Sequence, residues 1–282
     1  MDAIELPRPV GFVLGGGGSL GAAQVGMLRA LAERDVRPDL VIGTSVGSVN
    51  GSLLALDPEN APARLDEVWH RMTRQKVFPG GPLAQLTTLR KYKNYLFPNN
   101  GLAEILATEL AGVDDFSHLT LPFGAVAVDA MTGQAVLIND GPLTPAILAS
   151  AAIPGIYPPV QHQGRTLYDG GVVANVPIRQ ALASGAKSLV VLDCAFPGHL
   201  PKVPESLADA VLFWALLSMR TQATLECEIA SGSVPILYLP GAEVLNLTPL
   251  DFSHTDELIS TAYDSSRAFL ADVEITGPGL YT

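Results

Sequence analysis

The chain has 282 residues, 48% hydrophobic and 16% charged, a composition that can bury a sizeable core and excludes a disordered chain. With 17 lysines and arginines against 28 aspartates and glutamates, its formal net charge of −11 excludes a general nucleic-acid binder, because phosphate binding needs a concentrated basic surface. Cys194 and Cys227 make neither a disulfide framework nor a metal spacing, the acidic start Met1-Asp2-Ala3-Ile4-Glu5 is not that of a secretory signal, and the longest apolar run, Ala208 to Leu217, is interrupted by Asp209, so a cytoplasmic protein is expected.

Val10 to Leu14 reads as a strand, Gly15-Gly16-Gly17-Gly18-Ser19-Leu20-Gly21 as a loop, and Ala22 to Glu33 as a helix. Consecutive glycines let backbone amides point at a bound atom, and the helix start adds its dipole, so this loop suits an anion or an oxyanion. Gly16 to Gly21 also spells Gly-x-Gly-x-x-Gly, the dinucleotide fingerprint. A nucleotide-binding oxidoreductase would need an acid closing the next strand to hold the ribose. That strand ends at Gly43, and the nearest acid, Asp39, precedes it.

Leu40 to Gly51 is an apolar run that breaks at a glycine, presents Ser45 and resumes as an apolar helix. This is Gly-x-Ser-x-Gly in a strand-turn-helix setting. A serine exposed on so sharp a turn needs neighbours almost without side chains, which Gly43 and Gly47 supply. The same spacing occurs in ordinary glycine-rich loops, so a nucleophilic role requires a base and an oxyanion hole elsewhere.

Val46, Val49, Leu53, Leu54 and Leu56 predict a buried helix, and Leu65, Val68, Trp69 and Met72 continue with helical spacing. Between Val77 and Gly101, glycine and proline bracket a basic, aromatic segment with Arg90, Lys91, Tyr92, Lys93, Tyr95 and Phe97. It reads either as a face for transient contact with a membrane surface or as a solvated helix with a few buried rings. A helix over Leu102 to Leu110 follows, then a hairpin of Phe123 to Asp129 with Gln134 to Ile138, and a helix from Thr144 to Ala152 stopped by Pro154-Gly155. A second hairpin, Val160 to His162 with Arg165 to Tyr168, runs into Asp169-Gly170-Gly171, and a fresh helix is expected from Asn175-Val176-Pro177. The Asp-Gly-Gly turn can be a plain turn or a carboxylate open to close approach.

Ser188 to Asp193 predicts a buried strand; the tail predicts a helix over Ser206 to Ala230, a strand over Val234 to Leu239, a helix over Thr255 to Leu270 and a loose end from Asp272. The alternation of strands and helices predicts an α/β fold with its loops gathered at one end of the sheet. A standard α/β-hydrolase would lay down several strands before its nucleophile, and only one precedes Leu40 here. The five histidines, His70, His118, His162, His199 and His254, fall in no local pattern, and only His254 stands as a candidate triad member.

The glycine loop Gly15 to Gly21, Gly43-Thr44-Ser45-Val46-Gly47, Ala149-Ser150-Ala151-Ala152-Ile153-Pro154 with Pro158-Pro159, and Asp169-Gly170-Gly171 with Asn175 and Pro177 together resemble the patatin-like phospholipases over residues 8 to 195. The resemblance implies one α/β domain over 1–282, with its core over 8–195, a helix-strand-helix extension over 205–271 and a central, mostly parallel sheet in a three-layer α/β/α arrangement. It also implies a Ser45–Asp169 dyad, an oxyanion hole from the amides of Gly16, Gly17 and Gly18, a lipid or small ester substrate, and no cofactor or metal. Members of that family usually carry Arg or Lys where this chain has Leu20, which leaves phospholipid preference open beside a neutral glyceride, a lysolipid or a simple carboxylester. A catalytically silent binding protein keeping the same fold is the reading from another class.

Overall fold

A computed structural model of the chain describes residues 4–194, 203–242 and 249–282. Strand β1 (Val10–Leu14) passes through a 3-10 turn (Gly18–Ala22) into α1 (Ala23–Glu33), followed by β2 (Leu40–Thr44) and α2 (Val46–Leu56). Helices α3 (Ala61–Arg71), α4 (Arg74–Val77), α5 (Pro82–Tyr92) and α6 (Asn100–Glu109) come before β3 (Phe123–Asp129) and β4 (Ala135–Ile138). Then follow α7 (Leu143–Ser150), the hairpin β5 (Val160–His162) and β6 (Arg165–Asp169), α8 (Gly171–Ala174), α9 (Ile178–Ala183) and β7 (Ser188–Leu192). The chain closes with α10 (Leu207–Ser231), β8 (Pro235–Tyr238), α11 (Thr255–Asp272) and β9 (Gly279–Tyr281).

Among the described residues the strands join one sheet in the order β5-β6-β3-β2-β1-β7-β8-β9, with β4 also paired to β3. The run from β3 to β9 is parallel, and the β4, β5 and β6 pairings are antiparallel. Strands β1, β2 and β7 are buried at every position, as strands covered on both faces must be. Phe12, Leu14, Val41 and Leu192 pack with Met27, Leu53, Trp69 and Ile259 of α1, α2, α3 and α11. The alternate residues Val13, Ile42, Leu189 and Val191 pack with Ala174, Ile178 and Cys227 of α8, α9 and α10. Two-residue alternation thus divides the apolar side chains between two helical layers. Helix α11 lies against α1 at Gly26, where an added Cβ would sit 2.2 Å from the carbonyl of Ile259.

The structure departs from the sequence expectation in three places. The tail is not loose: β9 pairs in parallel with β8, Leu280 opposite Ile236, and the Tyr281 hydroxyl accepts from Thr276 N and donates to Gly277 O. Helix begins at Gly171, directly after Asp169, because Val173 N and Ala174 N close a turn onto Gly170 O; α9 then starts at Ile178. Phe97 does not belong to an exposed face. It is 3% exposed and packs on Phe78, while the Leu96 and Phe97 amides bond to Ile156 O and turn the ring inward. Helix α5 itself buries no residue, so Arg90, Lys91, Tyr92 and Lys93 remain exposed and Tyr95 half-buried.

Candidate active site

Strand β2 delivers Ser45 to a turn with φ 57° and ψ −126°, a left-handed conformation that a non-glycine residue adopts only at a cost of about 1–3 kcal/mol. The flanking glycines are a steric necessity. A Cβ on Gly43 would lie 2.2 Å from Gly47 O, and one on Gly47 would lie 2.2 Å from Leu14 O. The strained backbone is held at both ends: Ser45 N–H donates to Ser150 Oγ at 3.0 Å, and Ser45 O accepts from Ser48 Oγ at 2.6 Å and Ser48 N at 2.8 Å. Ser45 caps α2, so its Oγ stands where a helix start favours negative charge.

Sheet register brings the carboxylate to the serine. Thr44 pairs with Val126 on one side of β3, and Asp169 pairs with the next residue, Ala127, on the other. The Ser45 hydroxyl faces the Asp169 carboxylate closely enough to favour its ionised form, and Gly171 N donates to Asp169 Oδ1 at 2.7 Å. Burial pushes the Asp169 carboxyl up to about 6, against the opposing pull of the Ser45 hydroxyl and the Gly171 N–H. Ser45 is 6% and Asp169 5% exposed, so the pair is covered over.

The glycine loop lies beside them: a Cβ on Gly16 would be 3.1 Å from Ser45 Cβ and 2.6 Å from Asn175 Oδ1. Three of its amides are committed elsewhere. Gly15 N donates to Leu192 O, Gly16 N to Asn175 O at 3.1 Å, and Ser19 N to Pro249 O at 2.8 Å. Among the described residues the amides of Gly17 and Gly18 have no acceptor, and Gly18 has φ 59°. Of the expected Gly16, Gly17 and Gly18 donors, the last two are therefore the available ones. Asn175 ties this loop to the Asp169 turn, and Thr44 Oγ1 adds a bond to Ala174 O at 2.8 Å.

Residues 12–182 match the family of patatin-like phospholipases. The chain belongs to this family. Lysophospholipase NTE1 of Phaeosphaeria nodorum is 26% identical over 301 residues, covering 96% of this chain and 19% of that protein. Patatin-like phospholipase domain-containing protein 7 of Mus musculus is 31% identical over 216 residues, 75% of this chain and 15% of that protein. An NTE family protein of Mycobacterium bovis is 34% identical over 180 residues, 61% of this chain and 45% of that protein. The chain thus spans less than half the length of each of these curated relatives. Among solved structures, VipD from Legionella pneumophila is similar at a TM-score of 0.51 with 15% identity, covering 94% of this chain and 67% of that one, a likeness of fold.

Several candidates from the sequence lie outside this patatin-like site. His254 bonds to Glu257 Oε2 at 3.0 Å, His70 to Asp256 Oδ1 at 2.6 Å and His118 pairs with Asp114, while His162 lies on β5; none of these bonds reaches Ser45 or Asp169, and His199 lies outside the described residues. Asp39 bonds to Arg8 and to Val10 N at the far end of β2, so it cannot serve a ribose at the glycine loop. Ser150 and Asn175 stood in the sequence only as motif members; their work on the backbone of Ser45 and Gly16 has no local signature.

Proposed function

We propose that this patatin-like family member is a serine acyl-ester hydrolase, with Ser45 as nucleophile, Asp169 as general base and the Gly17 and Gly18 amides as oxyanion hole. The observation that carries this is the sheet register that sets the strained Ser45 against a buried carboxylate raised to about 6. A base with its pKa near working pH combines ionisation with real proton affinity. Ser45 Oγ attacks the ester carbonyl while Asp169 takes its proton. The carbonyl oxygen, now anionic, accepts from the two amides, each donor commonly worth ~3 to 4 kcal/mol. The tetrahedral intermediate collapses, the alcohol leaves with the proton from Asp169, and an acyl-Ser45 ester remains. Asp169 then deprotonates a water that attacks this ester and, as the adduct collapses, returns that proton to the departing Ser45 Oγ, freeing the acid and restoring the enzyme.

The substrate is a lipid acyl ester. Leu20 puts no positive charge by the glycine loop, which favours lysolipids, neutral glycerides and simple carboxylesters over anionic diacyl phospholipids. A lysophospholipase among the relatives agrees with a lipid substrate. We assign the activity to the whole of 1–282, since α11 packs on α1 and β8 extends the sheet. A reducing cytoplasm suits the free thiols of Cys194 and Cys227. Among the described residues no helix is long and apolar enough to cross a membrane, and transient lipid contact is assigned to Arg90, Lys91, Tyr92 and Lys93, with Tyr95 at the edge.

A fluorophosphonate probe tests the assignment. Wild type labels at Ser45; Ser45→Ala does not label, and Asp169→Asn has negligible ester turnover. Full turnover by either variant removes the dyad.

A further inference from the structure

Beneath the glycine loop lies a buried chain of polar side chains that the hydrolytic steps do not use. Trp69 Nε1 donates to Asn50 Oδ1 at 3.0 Å. Asn50 Nδ2 donates to Gln24 Oε1 at 2.8 Å and to Gly21 O at 3.0 Å. Gln24 Nε2 donates to Gly15 O at 3.0 Å and to Leu192 O at 2.9 Å. Cys194 Sγ adds a longer contact to Gly15 O at 3.3 Å. Gln24 and Asn50 are 0% exposed, and every N–H of the Trp69, Asn50 and Gln24 side chains has an acceptor.

Fully satisfied buried networks are rigid, and half-satisfied ones are costly, so this chain has one geometry available to it. Its acceptors are telling. Gly15 and Gly21 are the first and last residues of the glycine loop, and both carbonyls are taken by side chains of α1 and α2. Helix α2 begins directly after Ser45, so Asn50 ties the loop to the element that carries the nucleophile. Gln24 ties the same loop to the end of β7 through Leu192 O. The glycines themselves have no side chains with which to hold such a position.

We propose that Gln24 and Asn50 are positioning residues: a clamp that fixes the amides of Gly17 and Gly18 against the oxyanion formed at Ser45. This rests on the hydrolase assignment above. Neither residue touches substrate; both act through the loop backbone. Oxyanion donors help only where the developing charge will lie, and a misplacement near 1 Å can cost about 100-fold.

The test uses a soluble nitrophenyl ester, active-site titration with a fluorophosphonate, and a trifluoromethyl ketone whose hydrated or Ser45-bound adduct is tetrahedral. In Gln24→Glu and Asn50→Asp, kcat per titrated site falls about 10- to 100-fold with KM within about threefold. The inhibition constant of the ketone rises by the factor by which kcat/KM falls, as expected when only transition-state binding is lost. Gln24→Met removes both donors without adding charge and gives the same readout if the acidic variants do not fold. Leu31→Ala, a core change on α1 away from the loop, lowers thermal stability and titratable yield but leaves kcat per site unchanged. Wild-type kcat per site in the Gln24 and Asn50 variants, or lost kcat with an unchanged ketone constant, overturns the clamp. A wild-type protein that neither labels nor hydrolyses esters removes the hydrolase assignment instead, and the clamp with it.

Discussion

Ser45 is held by Ser150 through its backbone: the Ser45 N–H donates to Ser150 Oγ at 3.0 Å, and that hydroxyl donates onward to Val126 O at 2.6 Å. One hydroxyl therefore links the strained turn to the strand that separates it from Asp169. Ser150→Ala leaves a buried N–H and a buried carbonyl without this partner, at a cost of about 1–3 kcal/mol. The turn relaxes with it, and kcat on a soluble ester drops by about tenfold or more. Urea unfolding and steady-state kinetics check both halves. An unchanged kcat would show that the turn is held by its glycines alone.

Under the proposed mechanism the Asp169 carboxyl, raised to about 6 by burial, sets the acid side of the activity profile. The base must be ionised, so kcat/KM rises with pH through about 6 and levels off above it. A rise centred near 4, the ordinary carboxylate range, would contradict a buried base.

The same burial makes Asp169 a liability to stability. An acid whose folded pKa lies above its unfolded value favours folding fully below the unfolded pKa, and that contribution is lost as pH rises through about 6. At pH 8 the ionised carboxyl costs the fold about 3 kcal/mol. Asp169→Asn keeps an oxygen for the Gly171 N–H and removes the charge, so its melting temperature exceeds that of wild type at pH 8, and the gap closes toward pH 4. A gap independent of pH would mean that ionisation is not its source.

What could be read from the sequence followed from steric necessity at short range. Gly43 and Gly47 are required by backbone atoms within a few residues or on the adjacent strand, so the elbow around Ser45 is legible as a pattern. Asp169 is legible only as an Asp-Gly turn, because its partner lies across β3 and register, not spacing, joins them. Ser150 sits in a small apolar helix, and Gln24 and Asn50 appear as polar breaks in apolar patterns; their value lies in the carbonyls they meet after folding. Strand β9 is three residues long and is formed by pairing with β8, which leaves no periodicity to detect. Phe97 reads with its basic neighbours, yet Phe78 and Ile156 decide where its ring goes.

Leu20 is half-buried at the rim of the glycine loop, where its amide bonds to Gly17 O at 3.2 Å and its side chain packs against the core. Because its part in the loop is carried by the backbone, Leu20→Arg keeps the soluble-ester rate within about threefold, as expected of a change that leaves the oxyanion donors in place. The new cation attracts anionic head groups, so turnover of anionic phospholipid relative to neutral glyceride increases. Competition between the two lipids in mixed micelles measures the shift. An unchanged ratio would show that head groups bind away from this rim.

Helix α5, proposed above as the lipid-facing element, carries an exposed apolar flank, with Leu83 81% exposed, beside Arg90, Lys91 and Lys93 in a chain of net charge −11. Tyr92 and Tyr95 stack at 4.9 Å, and the Lys91 ammonium sits over the Tyr92 ring, an arrangement suited to the headgroup level. Replacing Arg90, Lys91 and Lys93 with serine weakens binding to phosphatidylserine-containing vesicles on the order of 100-fold at low salt, less at high salt, and leaves soluble-ester turnover intact. Phe97→Ala behaves in the opposite way. Its ring is core, so the variant loses about 3–5 kcal/mol of stability while its folded fraction binds vesicles as wild type does. Equal vesicle binding by the triple variant would remove α5 as the lipid-facing element, and weakened vesicle binding by folded Phe97→Ala would mean that the segment opens at the lipid surface.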